Sequence, residues 1–234
     1  MALIGNDIDD AARKPGGQPT RDSGRTCSLT RPHLVVVCGL AGVGKSEISR
    51  RLAKELRAVF LDKDTLAQAF TEELLQRIGC LPHDRESGNY LSVVRPLEYQ
   101  QLEAAAAENV ALGMNVVTTA PYMRETQDPD WYDAMLEQVT AAGAVLKVVW
   151  VRADPAAMRS YIEQRNDPRD QWKRSHWDEY ISSTAWDRPP RFPHTAIDNS
   201  TYNADSAPIG QILGLVEAWE REDADAPHLA SAVR

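Results

Sequence analysis

The chain has 234 residues, of which 43% are hydrophobic and 26% are charged, and its formal net charge is −8 at pH 7. This length suits one domain with a proper hydrophobic core. The acidic balance disfavours a nucleic-acid-binding protein that depends on a broad basic surface, although it permits a local basic cleft. No apolar stretch approaches membrane-spanning length, so we expect no membrane partner.

Residues 1–31 mix Asp, Arg, Gly and Pro and lack the apolar core of a signal peptide, so we predict a mostly disordered tail there. The main domain is predicted over residues 32–222, and a second flexible tail over 223–234. The three cysteines are scattered and match no metal-binding spacing. They are expected to be reduced thiols, which predicts a cytoplasmic protein.

The most specific motif directly follows an apolar, β-branched run at residues 34–38, which predicts a buried strand. Its residues are, in order, Gly39, Leu40, Ala41, Gly42, Val43, Gly44, Lys45 and Ser46. They match the phosphate-binding loop G-x-x-x-x-G-K-S, and a predicted helix over 47–56 presents its N-terminus to the phosphates. In such a loop Lys45 reaches the β- and γ-phosphates and Ser46 ligates Mg²⁺. The motif predicts nucleoside triphosphate binding; the alternative is a glycine-rich turn.

Apolar runs and helical periodicity alternate along the rest of the chain. Further strands are predicted at residues 58–62, 115–119, 145–151 and 195–198. Further helices are predicted at residues 64–78, 97–112 (with Pro96 in its first turn), 128–142, from 154 onward, and 206–222. Residues 79–94 carry mixed turn residues and are predicted to form a long loop that serves a site. This order predicts an α/β fold with parallel strands, helices on both faces, and a ligand site at the carboxyl ends of the strands.

Two carboxylates follow the second predicted strand. Asp62 and Asp64 are two residues apart, so strand periodicity places both on the side of the phosphate loop. We predict that Asp64 is the base for an attacking hydroxyl and that Asp62 is the carboxylate on the Mg²⁺ side. The alternative for Asp64 is a helix N-cap, where aspartate is favoured in any case.

Several segments together give the chain a family resemblance. They are the phosphate loop, "LDKD" at 61–64, "RPLEY" at 95–99, "VVTTAPY" at 116–122 and "VWVRADP" at 149–155. The chain resembles the AAA_33-type P-loop kinases over residues 32–222, a group similar to polynucleotide kinases, zeta toxins and small-molecule phosphotransferases such as chloramphenicol phosphotransferase. The resemblance implies a nucleotide-kinase-like P-loop NTPase fold: a five-stranded parallel sheet with a mobile helical lid, here at about 153–193.

The same resemblance implies site residues. Family members place an acidic residue after strand two as the base, and Asp64 fits that position. Arg95, Tyr99 and Tyr122 would contact the acceptor substrate. Asp198 and Asn199, which follow the fifth strand, would contact the adenine. The alternatives are a solvated surface charge for Arg95 and a packing role for Tyr99. Many nucleic-acid-directed and toxin members carry arginine three residues after the acid, whereas this chain has Ala67, which weakens those assignments.

A cluster of cations marks the predicted lid. It comprises Arg152, Arg159, Arg165, Arg169, Lys173 and Arg174. Cations from a closing segment stabilise the charge of a transferring phosphoryl group, and we assign that catalytic role to Arg165 and Arg169. Arg169, Lys173 and Trp177 share one face of a continuous helix. The alternative is an amphipathic surface helix with solvated charges.

Together these features predict an ATP-dependent, Mg²⁺-requiring kinase that acts on a hydroxyl of a small molecule, such as a metabolite, a nucleoside-like compound or an antibiotic. One alternative is a polynucleotide or nucleotide-sugar kinase, which Ala67 and the acidic charge disfavour. Another is a non-catalytic ATP-binding regulatory protein, which the aspartate pair beside a complete phosphate loop disfavours.

Overall fold

The computed structural model describes residues 28–200 and 208–226. Most of the two tails predicted at residues 1–31 and 223–234 lies outside the described residues, namely residues 1–27 and 227–234, as do residues 201–207. Within the described part of the chain, no helix combines the length and apolarity that a membrane crossing requires.

The strands form one five-stranded sheet in which every neighbouring pair is parallel. They are β1 (His33–Cys38), β2 (Val59–Asp62), β3 (Val116–Thr119), β4 (Val145–Arg152) and β5 (Thr195–Asp198). The spatial order is β2-β3-β1-β4-β5, so β1 lies at the centre and the chain crosses to the other half of the sheet after β3. The predicted α/β fold and its five parallel strands are confirmed.

Helices cover both faces of this sheet. They are α1 (Lys45–Leu56), α2 (Lys63–Arg77), α3 (Arg95–Ala111), α4 (Pro129–Ala141), α5 (Pro155–Arg165), α6 (Gln171–Ser175), α7 (Trp177–Ser183) and α8 (Ile209–Asp225). Alternate residues of β1 point to opposite faces, so Val35 and Val37 pack with α1, α5 and α8. Leu34 and Val36 pack with α3 and α4. Because both faces are covered, β1 is a continuous apolar run.

The predicted start of the second helix is one residue late. Helix α2 begins at Lys63, and Asp62 is its N-cap, because Asp62 Oδ1 accepts hydrogen bonds from the amides of Asp64 (2.9 Å) and Thr65 (3.4 Å). Asp64 is therefore neither a cap nor a strand residue, and strand periodicity does not relate it to Asp62. Helix α3 begins at Arg95 with Pro96 in its first turn, as predicted, and a π-helical turn at Tyr90–Val94 leads into it, so the predicted loop is shorter.

The predicted lid segment does not form the single continuous helix that its periodicity predicted. Helix α5 ends at Asn166 with φ 48°, a short 3₁₀ turn covers Pro168–Asp170, and α6 and α7 are separated at His176. Arg169 therefore does not share a helix face with Lys173 and Trp177. Asp170 is buried and accepts a hydrogen bond from Arg165 Nε at 2.9 Å, which draws this segment back toward the phosphate loop.

The C-terminal end of the domain also differs from the prediction. Helix α8 continues to Asp225, so the tail predicted from 223 begins too early. Asp223 is buried, and it accepts hydrogen bonds from Thr30 Oγ1 (2.7 Å) and Arg31 Nε (2.8 Å). Burial opposes the ionisation of Asp223, but these hydrogen bonds outweigh it and hold the pKa of Asp223 below its ordinary value. Asp223 thus ties the segment before β1 to the last helix.

Candidate active site

The phosphate loop connects β1 to α1 in a conformation that requires glycine. Gly39 has φ 139°, and a Cβ there would lie 2.2 Å from the carbonyl oxygen of Val151. Gly44 has φ 81°, and a Cβ there would lie 2.4 Å from Asn199 Nδ2. Gly44 is the N-cap of α1 and supplies no side-chain acceptor, so the first-turn amides of α1 have no cap from a side chain. This geometry is that of an anion-binding helix N-terminus.

Lys45 folds back onto the loop that carries it. Its Nζ donates a 2.6 Å hydrogen bond to the carbonyl oxygen of Leu40. Burial lowers the pKa of Lys45 to about 8, and the nearby positive charge of Arg165 acts in the same direction. A bound polyphosphate would reverse this effect, because it places negative charge beside the ammonium group.

We expect the affinity for ATP to fall as pH rises above about 8. As the pH rises through that pKa, the free protein loses the charge of Lys45, whereas the nucleotide-bound protein keeps it. The affinity for ATP should therefore fall by up to roughly tenfold per pH unit. Calorimetric titration with a non-hydrolysable ATP analogue from about pH 7 to about pH 9.5 measures this fall in affinity. Lys45→Arg is the matched control, because arginine stays charged and its affinity should stay flat. A flat wild-type profile would contradict the lowered pKa.

Ser46 and Asp62 lie side by side beneath the loop. Ser46 Oγ donates to Asp62 Oδ2 at 3.2 Å, and Asp62 is nearly buried. A hydroxyl and a carboxylate are the hard oxygen donors that Mg²⁺ prefers, and Mg²⁺ takes the rest of its shell from water and phosphate oxygens. The described residues contain no cluster of three or more His, Cys, Asp or Glu that could hold a metal ion. The pair fits Mg²⁺ bound together with a nucleotide.

Asp64 lies between two cations. Its carboxylate contacts Lys63 Nζ at 3.0 Å and Arg169 Nη1 at 2.6 Å. Burial opposes the ionisation of Asp64, but Lys63 and Arg169 outweigh it and hold the pKa of Asp64 well below its ordinary value. Asp64 is therefore ionised and held in place, as an orienting carboxylate must be.

A buried polar network behind Asp64 was not anticipated from the sequence. Glu98 on α3 is buried and accepts hydrogen bonds from Lys63 Nζ (2.8 Å), Thr71 Oγ1 (2.7 Å) and Tyr90 OH (2.9 Å). Burial opposes the charge of Lys63, but Asp64 and Glu98 outweigh it and raise the pKa of Lys63. The lysine thus bridges the Asp64 carboxylate to α3. A charged residue inside the amphipathic pattern of α3 was the available sequence signal, but its partner could not be named.

Two cavities meet at the phosphate loop. The first, of about 590 Å³, is lined by the loop, the start of α2, α5 and Asn199, and we call it the donor cavity. The second, of about 350 Å³, extends toward Tyr90, α3 and the segment after β3, and we call it the acceptor cavity. The residues that line both cavities are Lys45, Ser46, Asp62, Asp64, Arg165 and Arg169. The structure thus gathers the predicted catalytic and metal-binding residues at one boundary, and their roles stay predictions.

Arg95 and Tyr99 line the acceptor cavity, as the predicted substrate contacts would. Arg95 pairs with Glu125 at 2.7 Å, and its guanidinium carbon lies 4.0 Å from the centre of the Tyr99 ring. The hydroxyl of Tyr99 is turned inward and accepts a hydrogen bond from the amide of Tyr122 at 3.1 Å. Arg95 is therefore the polar group of this pair that faces the cavity.

Two predicted contacts do not fit. Tyr122 is buried, has φ 52°, and donates to Thr118 Oγ1 at 3.2 Å inside the core, away from both cavities. Asp198 bonds Ser200 and Arg152 at the exposed end of β5 and lines neither cavity. The next residue, Asn199, which the resemblance also indicated, lines the donor cavity, and its Nδ2 donates to the carbonyl of Val43 at 3.0 Å within the phosphate loop.

Comparison with known proteins places this geometry in a family. The AAA_33 family model, described as an AAA domain, matches residues 34–185, from β1 to just beyond α7. The chain belongs to this family. No curated protein sequence matches the chain.

Solved structures share the fold at low sequence identity. A protein from Chloroflexus aurantiacus J-10-fl, whose description as a kinase is provisional, aligns with a TM-score of 0.57 and 20% identity over 81% of this chain and 98% of its own. A sugar kinase from Janibacter sp. HTCC2649 aligns with a TM-score of 0.51 and 15% identity over 85% and 99% of the two chains. The APS kinase of Mycobacterium tuberculosis, solved with AMPPNP and APS, gives 0.50 and 19% over 80% and 98%. The chain therefore has a kinase-like P-loop fold.

Proposed function

We propose that the protein transfers the γ-phosphate of ATP to a hydroxyl group of a small molecule. The observation that supports this most strongly is the boundary between the donor and acceptor cavities, where one set of residues lines both. A regulatory protein that only binds ATP needs no second cavity at its phosphate loop. A kinase needs one, because the acceptor oxygen must reach the γ-phosphorus in line with the leaving group.

The donor cavity suits ATP with Mg²⁺. The amides of the loop and of the first turn of α1 would bind the phosphates, and Lys45 would release the Leu40 carbonyl to contact them. Ser46 and Asp62 would hold the metal, which when bound supplies positive charge at the phosphate oxygens. Asn199 supports the donor side by fixing the backbone of the loop at Val43.

Asp64 would orient the acceptor hydroxyl. The hydroxyl oxygen attacks the γ-phosphorus, the bond to the β–γ bridging oxygen breaks to leave ADP, and the hydroxyl proton passes to Asp64. The low pKa of Asp64 suits a loose transition state, in which the hydroxyl keeps its proton until the new bond is largely formed. Arg165 and Arg169, which line both cavities, would stabilise the charge on the transferring group.

Both described cysteines, Cys38 and Cys80, are free thiols. This supports our proposal that the protein works in the cytoplasm, where thiols stay reduced. The net charge of −8 disfavours nucleic acid as the acceptor.

The test is a transfer assay with γ-labelled ATP and Mg²⁺ across a panel of hydroxyl compounds. Sugars, sugar acids, nucleosides, hydroxylated antibiotics and oligonucleotides with a free 5′-hydroxyl form its arms. We expect a labelled small-molecule product, and we expect Lys45→Met to abolish it. Arg174→Gln is the matched control, since Arg174 is a lid cation that lines neither cavity. Labelling of oligonucleotides alone, or ATP binding without transfer to any acceptor, would contradict the proposal.

A further inference from the structure

The acceptor cavity is rich in cations. The lysines and arginines that line it are Lys45, Lys63, Arg85, Arg95, Arg124, Arg165, Arg169 and Lys173. Lys45 would contact the phosphates of the donor nucleotide. Most of the others are paired with carboxylates: Lys63 with Glu98 (2.8 Å), Arg95 with Glu125 (2.7 Å), Arg165 with Asp170 (2.9 Å), Arg169 with Asp64 (2.6 Å) and Lys173 with Glu86 (3.2 Å).

Arg85 and Arg124 differ from this pattern. Within residues 28–200 and 208–226, neither of them pairs with a carboxylate. Arg85 donates from Nη1 to the carbonyl oxygens of Pro82 and Asp84, both at 3.0 Å, and its guanidinium carbon lies 5.3 Å from the centre of the Tyr90 ring. These bonds hold the group in place, and the nearby Asp84 carboxylate interacts with its charge without forming an ion pair.

Arg124 is exposed and lies after β3, whereas Arg85 lies in the α2–α3 connection, and both line the acceptor cavity. Both arginines therefore bring a guanidinium group that forms no ion pair within the described residues to the cavity that would take the acceptor. A planar guanidinium group presents parallel donors that match carboxylate and phosphate oxygens. At the boundary with the donor cavity Asp62 and Asp64 add carboxylates, and a carboxylate can accept a hydrogen bond from a hydroxyl group.

We infer that the acceptor is an anionic small molecule, whose carboxylate or phosphate group binds to Arg85 and Arg124 while its hydroxyl lies at Asp64. This rests on the proposed kinase function. Arg85 and Arg124 line only the acceptor cavity, so an anionic group bound to them lies away from the phosphate loop. The hydroxyl end, which can donate to Asp64, is then the end presented for transfer.

The experiment compares acceptors in matched pairs that share their hydroxyl groups and differ in charge. One arm uses aldonic acids and the corresponding alditols, which tests a carboxylate. The other uses sugar phosphates and the corresponding free sugars, which tests a phosphate. Binding is measured by calorimetry in the presence of AMPPNP and Mg²⁺, and transfer is measured separately with labelled ATP.

We expect the charged member of one pair to bind at least about tenfold more tightly than its neutral partner. Arg124→Gln should remove most of that difference by raising KM for the charged acceptor roughly 10- to 100-fold, with KM for ATP unchanged. Arg124 is the preferred variant because it is exposed and holds no other segment in place, whereas Arg85 also bonds its own loop. Arg188→Gln is the matched control, since Arg188 is also exposed and lines neither cavity.

Preferential binding of the neutral members, or an unchanged charged-to-neutral ratio in Arg124→Gln, would overturn the inference. In that case transfer to a neutral acceptor would leave the kinase proposal intact. Conversely, tight Arg124-dependent binding of an anion without any transfer would support the anionic site and contradict the kinase proposal. The two proposals therefore fail separately.

Discussion

Replacing Asp64 with asparagine is expected to lower the turnover number for phosphoryl transfer about 10²- to 10⁴-fold. Asparagine keeps the size of the side chain but removes the charge that orients the acceptor hydroxyl and takes its proton. The affinity for ATP should change little, because the phosphates would bind to the loop amides and Lys45. Steady-state kinetics with the acceptor found in the panel, together with calorimetry for the nucleotide, measures both.

In Asp64→Asn, the two cations that contact Asp64 keep other carboxylate partners. Lys63 keeps Glu98 at 2.8 Å, and Arg169 keeps Asp167 at 2.8 Å, so neither cation is left without a partner. Asp167→Asn is the matched control: it removes the other partner of Arg169, and Asp167 lines neither cavity. This control should keep most of the activity. Unimpaired transfer in Asp64→Asn would contradict the role of Asp64, and so would a comparable loss in Asp167→Asn.

Replacing Glu98 with alanine is expected to destabilise the protein by about 3–5 kcal/mol. Glu98 is 4% exposed, and its loss leaves one ammonium group and two hydroxyl groups without this acceptor in the interior. Denaturant unfolding, followed by circular dichroism, measures the difference in the free energy of unfolding. Glu108→Ala is the matched control on the same helix. Glu108 is exposed, so its effect should stay within about 0.5 kcal/mol.

The double variant Lys63→Met/Glu98→Leu separates stability from positioning. Replacing both members of a buried pair with apolar residues restores much of the stability that one replacement removes. Transfer should nevertheless stay slow, since Asp64 loses the lysine that holds its carboxylate at 3.0 Å. A Glu98→Ala variant that unfolds with wild-type stability would contradict the buried network, and a fully active double variant would contradict the positioning role of Lys63.

Local sequence patterns were sufficient for the sheet and for the phosphate loop. The five predicted strands match the observed ones, with ends that differ by at most one residue. The central strand β1 is buried throughout, so its apolar run is a strong local signal. The lid was predicted less well. Its periodicity matched one helix, but the αL residue Asn166 and the break at His176 divide it.

Sequence patterns also do not show which residue at the end of a strand faces the site. The resemblance indicated both Asp198 and Asn199, but of the two only Asn199 reaches the phosphate loop, because consecutive side chains of an extended chain point to opposite sides. Tyr122 was a reasonable candidate for the acceptor site, but its positive φ turns the ring into the core. Neither outcome could be read from residue type alone.

The sequence by itself determined the fold class, the phosphate loop and the pair of aspartates, because each depends on residues close together in the chain. Eight consecutive residues are enough to form the loop, and the strand before it and the helix after it follow from local hydrophobic patterns. Only the tertiary structure decided which distant groups surround that loop. Glu98 reaches Lys63 across 35 residues, and Asn199 reaches Val43 across 156. Contacts at such separations depend on how helices pack on the sheet, and no local pattern specifies that packing.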